Sequence, residues 1–118
     1  MSSDVTRVEK PWGYELHWAK TARYVGKLIH VKAGHALSLQ YHKHKDESIY
    51  LLRGSMRLVL QDGAAGPRQE KILRAGDAER LPPLKRHRME ALSDCVVLEV
   101  STPELDDVVR LEDRYGRT

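Results

Sequence analysis

Phenylalanine is absent from these 118 residues, and the aromatic complement is two tryptophans and five tyrosines. So few flat side chains leave little to stack on nucleotide bases. The chain also shows no zinc-finger spacing, no RNA-binding strand motif and no long basic run interleaved with aromatics. A nucleic-acid partner is therefore not expected, although the formal charge of +3 and the pI near 9.1 are mildly basic. Cysteine occurs once, at Cys95, which excludes an internal disulfide and suggests a small buried thiol in the apolar run CVVLEV. No apolar run approaches the ~20 residues that cross a bilayer, and the opening MSSDVTRVEKPWG has no signal-peptide core. The expectation is a cytoplasmic protein with no membrane partner. Repeats, low-complexity tracts and linkers are missing too, so residues 1–118 are expected to form a single domain around one core.

What is present is a series of short stretches rich in β-branched and alternating apolar residues. They run over 24–31, 36–42, 48–52, 56–60, 71–73, 78–81 and 95–101. Turn signals separate them: KAG at 32–34, RG at 53–54, DGAAGP at 62–67, AGD at 75–77 and Pro82-Pro83. Many short strands with glycine turns predict an all-β antiparallel sandwich or barrel. The tail is the one helix candidate. Thr102 can cap, Pro103 suits the first helical position, and Leu105, Val108 and Val109 can share a face.

The chemistry-bearing segment is QYHKHKDE at 40–47. On a strand over 36–42, Ser38, Gln40 and His42 point one way and His44 continues the row, so His42 and His44 can meet one ion. A pair of this kind also arises in strands without any metal. Glu47 breaks the period, so it joins them only if the chain bends at Lys45-Asp46. His17, His30 and His35 read as surface or hydrogen-bonded histidines. Trp12 reads as a structural anchor.

Gly34, His42, His44, Glu47 and Gly54, followed by Gly76, Pro82 and His87, resemble the two signature motifs of the cupin superfamily. Leu84 and Ala91 stand where its second motif usually has glycine and asparagine. Further, KPWGYE at 10–15, LSLQYHKHKDE at 37–47, HRME at 87–90 and LDDVVRLEDRYGR at 105–117 resemble type II mannose-6-phosphate isomerases, whose cupin is often fused behind a guanylyltransferase domain. Lys45, Ser48 and Ile49 replace an arginine, a histidine and an aromatic usual there. The resemblance implies a cupin-type jelly-roll β-barrel, with the helical tail outside. It also implies that His42, His44, Glu47 and His87 hold one divalent metal ion: zinc, manganese, iron, cobalt or nickel.

The implied reaction interconverts an aldose phosphate and a ketose phosphate through an enediol, with the metal as Lewis acid and a base moving a proton between C1 and C2. Lys45, beside the ligands, is the first candidate base and Glu90 the second, with a metal-bound hydroxide as the alternative. Gln40 is placed to bind a substrate hydroxyl. Arg86 and Arg88, in a basic group with Arg80 and Lys85, are placed to bind the phosphate. Two rival readings are an iron-dependent cupin oxygenase and a non-catalytic metal- and sugar-binding cupin. Exposed edge strands favour a homodimer.

Overall fold

A computed structural model describes residues 4–117, and among them the regular structure is all strand. The elements are β1 (Thr6–Lys10), β2 (Gly13–Lys20), β3 (Val25–Val31), β4 (Leu39–Tyr41), β5 (Glu47–Arg53), β6 (Ser55–Asp62), β7 (Gln69–Arg74), β8 (Ala78–Leu81), β9 (Lys85–Ala91), β10 (Cys95–Ser101) and β11 (Val109–Glu112). No helix among the described residues is long and apolar enough to cross a membrane.

Two antiparallel sheets result, in the orders β1-β2-β3-β10-β5-β8 and β11-β4-β9-β6-β7. From β3 to β10 the eight strands divide so that β3, β5, β8 and β10 lie in one sheet and β4, β6, β7 and β9 in the other. That interleaving is a jelly roll. β1 and β2 extend one sheet at its β3 edge, and β11 extends the other at its β4 edge.

The period-2 pattern explains both the core and the site. In β5 the inward positions are Glu47, Ile49 and Leu51; in β9 they are His87, Met89 and Ala91; in β10 they are Cys95, Val97, Glu99 and Ser101. Most of these fill a core of leucine, isoleucine, valine and methionine around Trp12, with Leu58, Leu81 and Val97 fully buried. Burying each such side chain contributes roughly 1.5–3 kcal/mol. Glu47, His87 and Glu99 occupy core-facing positions that an apolar residue would otherwise take, and Glu47 and Glu99 line a cavity of about 90 Å³. Trp12, Ile29, Leu37 and Met89 belong to both the core and the cavity wall, so one surface packs the interior and shapes the site.

The tail does not form the expected helix. Thr102 accepts a hydrogen bond from the Asp46 N–H at 3.0 Å instead of capping, and Val109 and Arg110 pair with Tyr41 and Gln40. An open edge at β4 offers these residues ladder hydrogen bonds that outweigh their weak helical preference. The strand expected over 36–42 is regular only at Leu39–Tyr41, with Ala36 bridging Glu90 alone.

Gly54, between β5 and β6, has φ +95°, and a Cβ there would sit 2.2 Å from the Asp94 carbonyl oxygen. Gly54→Ala is expected to destabilise the fold by about 1–3 kcal/mol, read as a lower urea midpoint with unchanged slope. An unchanged midpoint would refute this.

Candidate metal centre

Three elements from two sheets converge on one point. β9 supplies His87, the first residue of β5 supplies Glu47, and the chain leaving β4 supplies His42, all buried. Glu47 Oε1 lies 3.5 Å from His42 Nε2 and 3.2 Å from His87 Nε2. One donor atom from each residue lies within 4.8 Å of the other two. The outer ring nitrogens are already committed: His42 Nδ1 donates to the Asp107 carbonyl and His87 Nδ1 to the Lys85 carbonyl. A carbonyl partner fixes the proton on Nδ1 and leaves a lone pair on Nε2 in the neutral ring. Both Nε2 atoms are buried without a hydrogen-bond partner. Two inward lone pairs beside a buried carboxylate oxygen suit a divalent cation, and a nitrogen–nitrogen–oxygen donor set fits zinc, manganese, iron, cobalt or nickel.

His44 does not join them. The Asp107 carboxylate accepts hydrogen bonds from the backbone N–H groups of Lys43, His44 and Lys45 at 3.0, 2.7 and 3.0 Å. The bend therefore falls at Lys43-His44, before the expected Lys45-Asp46. Alternation stops at His42, His44 turns out to solvent and Lys45 turns in. The backbone N–H groups hold the Asp107 carboxyl down at about 2.

Lys45 begins a buried chain of alternating charge. Its Nζ lies 3.1 Å from Glu47 Oε2 and 3.2 Å from Glu99 Oε2. Lys27 Nζ is 4.0 Å from Glu99 and 3.3 Å from Glu15, and Glu15 accepts from His17 at 2.9 Å. Burial would lower the Lys45 ammonium, but Glu99 and Glu47 overcome it and push it up to about 12. For Glu47, burial works upward, yet His42 and His87, when a proton sits on their inward nitrogens, and the Lys45 ammonium hold its carboxyl well below the usual range. Burial and the charge on Glu47 push Glu99 up, against the pull of Lys45 and Lys27. Sequence reasoning missed Glu99. The signal was its parity in CVVLEVS, where it shares a face with Cys95 and Val97.

Gln40 lines the same cavity, pairs across strands with His87, and accepts from Ser38 Oγ at 2.7 Å. Arg86, Arg88 and Glu90 do not line it. They alternate with His87 and Met89 on β9 and so project from the opposite face. There Arg86 lies over the Tyr41 ring, Arg88 donates to the Glu112 carbonyl, and Glu90 pairs with Arg57 at 3.1 Å. No strand was expected between 81 and 95, so this parity went unused for Arg86 and Arg88. His30 stacks on Tyr14 and His35 hydrogen-bonds Tyr115, apart from the cluster, as expected of structural histidines.

Comparison with known proteins agrees with this architecture. Residues 2–113 match the family described as Mannose-6-phosphate isomerase C-terminal. The mannose-1-phosphate guanylyltransferase ManC of Salmonella typhimurium is 34% identical over 115 residues, covering 93% of this chain and 23% of that protein. The alginate biosynthesis protein AlgA of Pseudomonas aeruginosa is 30% identical over 116 residues, covering 94% and 23%. The chain thus spans about a quarter of the length of these relatives. Among solved structures, KdgF from Halomonas sp. superposes with a TM-score of 0.73 at 23% identity, covering 88% of this chain and 91% of that one. Oxalate decarboxylase from Bacillus subtilis gives 0.78 at 18%, covering 98% and 32%. The fold is the cupin jelly roll.

Two outcomes follow. At a hundredfold excess over its dissociation constant, a bound divalent ion stabilises the fold by about 2.7 kcal/mol, so titration with zinc or manganese should raise Tm. His42→Ala and His87→Ala should abolish the rise and His44→Ala should keep it; loss in His44→Ala would refute this ligand set. Second, a carboxyl depressed to about 2 contributes stability that is complete above the unfolded value of about 3.9 and lost as pH falls towards the folded one. The stability gap between wild type and Asp107→Asn should therefore be constant above about pH 5 and close between about pH 4 and 2; a gap independent of pH would refute the role of the ionised carboxylate.

Proposed function

Because the chain belongs to the Mannose-6-phosphate isomerase C-terminal family, we propose that it is a metal-dependent sugar-phosphate isomerase, interconverting an aldose phosphate and a ketose phosphate through an enediol. The observation that carries this reading is one cavity lined by His42 and Glu47 of the cluster together with Lys45 and Glu99. A divalent ion held by His42, Glu47 and His87 would supply Lewis-acid polarisation of the C1 and C2 oxygens. The proton transfer falls to the chain's own residues. It needs a base stronger than an ordinary carboxylate and a cation beside the oxygen that gains negative charge.

Glu99 meets the first need, since burial and Glu47 raise its carboxyl. It takes the proton from C2 and returns it to C1, while the O2 hydroxyl proton passes to O1, so that C1 ends as an alcohol and C2 as the ketone. Lys45, at about 12, keeps its proton at neutral pH. It is therefore a hydrogen-bond donor to the enediol oxygen and not the base that its place beside the ligands suggested. Gln40, on the same wall, is left to hold a hydroxyl. Glu90, on the far face of β9, takes no part.

One observation favours a second reading. With His44 outside, the cluster is two histidines and one carboxylate, the donor set of non-haem iron oxygenases. What weighs against it is Lys45 with Glu99, an acid–base pair that dioxygen activation does not require.

Metal-loaded protein assayed with mannose 6-phosphate and other aldose phosphates should form the ketose. Glu99→Gln should lower kcat by about 10²–10⁴-fold with metal content unchanged. Oxygen uptake by the iron-loaded protein without sugar-phosphate turnover would replace this reading with the oxygenase. Metal and sugar binding without either activity would leave a binding module.

A further inference from the structure

The tail 105–117 contributes no residue to the metal-binding cluster, yet two of its arginines, Arg110 and Arg117, line the cavity. With Lys10, Lys27 and Lys45 they give the cavity five cationic side chains against the carboxylates of Glu15, Glu47 and Glu99. The cations fall into two groups. Lys27 and Lys45 are buried and ion-paired to those carboxylates. Arg110, Lys10 and Arg117 are only half-buried and so reach solvent. Arg117 is tied to Asp113 through Nε and Nη2. Arg110 has no ion pair or side-chain hydrogen bond among the described residues, and its Nε is buried without a partner.

Partial burial of an unpaired guanidinium is costly unless an anion meets it. We propose that Arg110, assisted by Lys10 and Arg117, forms the phosphate-holding subsite of this cavity. The choice of a phosphate rests on the isomerase reading; the need for an anion does not. A phosphate carries close to two negative charges at neutral pH, which Arg110 and Lys10, neither of them in an ion pair among the described residues, can meet from the cavity wall. A guanidinium fork also suits planar, two-pronged recognition of its oxygens. With the phosphate on these solvent-reaching cations, the sugar carbons extend past Gln40, the cross-strand neighbour of Arg110, towards the buried Glu99 and cluster. Arg86 and Arg88 on β9 leave the sheet on the other side and do not line the cavity.

The test measures the affinity of metal-loaded protein for inorganic phosphate and for mannose 6-phosphate by calorimetry, with melting curves as a control for folding. Arg110→Gln should weaken both roughly ten- to a hundredfold, the loss of a charge-assisted hydrogen bond. Arg110→Lys should recover part of this, and Arg86→Gln should change nothing. Should Arg110→Gln fold poorly, Lys10→Gln and Arg110→Lys carry the same comparison. Affinities unchanged across the Arg110 and Lys10 variants, or an equal loss in Arg86→Gln, would overturn the assignment. Phosphate binding that depends on Arg110 in a protein that isomerises nothing would keep the subsite and end the isomerase reading. Turnover indifferent to Arg110 would do the reverse.

Discussion

A carboxylate buried in the middle of a β-sandwich has to be answered by positive charge, and much of this molecule is arranged around that requirement at Glu47. Its neighbours are the Lys45 ammonium and two imidazoles whose inward nitrogens meet it favourably only with a proton or a cation between them. Lys45 brings its own desolvation cost and needs Glu99; Glu99 needs Lys27; Lys27 needs Glu15. Each member compensates the one before it, until the sequence reaches His17 at the rim. Removing a single partner from such a buried set costs about 3–5 kcal/mol, because it strands the next charge. The set is therefore held as a unit, and it runs from the cluster across β5, β10, β3 and β2.

The tail solves a different problem in the same place. The loop 43–45 presents three backbone N–H groups in succession, and Asp107 accepts all three while its own carbonyl fixes the His42 ring. One residue thus sets the bend, the tautomer of a cluster histidine and the direction of Lys45. Tyr115, hydrogen-bonded to His35 and packed on the core, anchors the far end of the segment.

Legibility followed from how apolar the inward face of each strand is. Ala78–Leu81 and Cys95–Ser101 could be read to the residue, and β3, β5, β6 and β7 to within a few. β1 is charged and mostly exposed, while β2 and β9 carry Glu15 and His87 at inward positions, so their alternation does not register as hydrophobic. Of the strands that carry the cluster, β9 is thus the one whose pattern is hardest to see, whereas β5, with Glu47, and β10, with Glu99, were read. His42, Glu47 and His87 were brought together by the resemblance to the cupin motifs; strand spacing alone offered only His42 with His44. The fate of His44 was not legible, since it depends on a carboxylate 63 residues away. The outward direction of Arg86 and Arg88 was within reach, because residues flanking an inward His87 on a strand must face away.

Cys95 lies fully buried at the β3–β10–β5 junction, its thiol donating to the carbonyls of Ser55 and Ser93 and pushed up by burial. A thiol both inaccessible and reluctant to ionise is inert towards oxidants and alkylating reagents while the sandwich stays closed. As the lone cysteine of the chain, it is a built-in clock for separation of the two sheets: its rate of modification reports opening directly, without a label added anywhere.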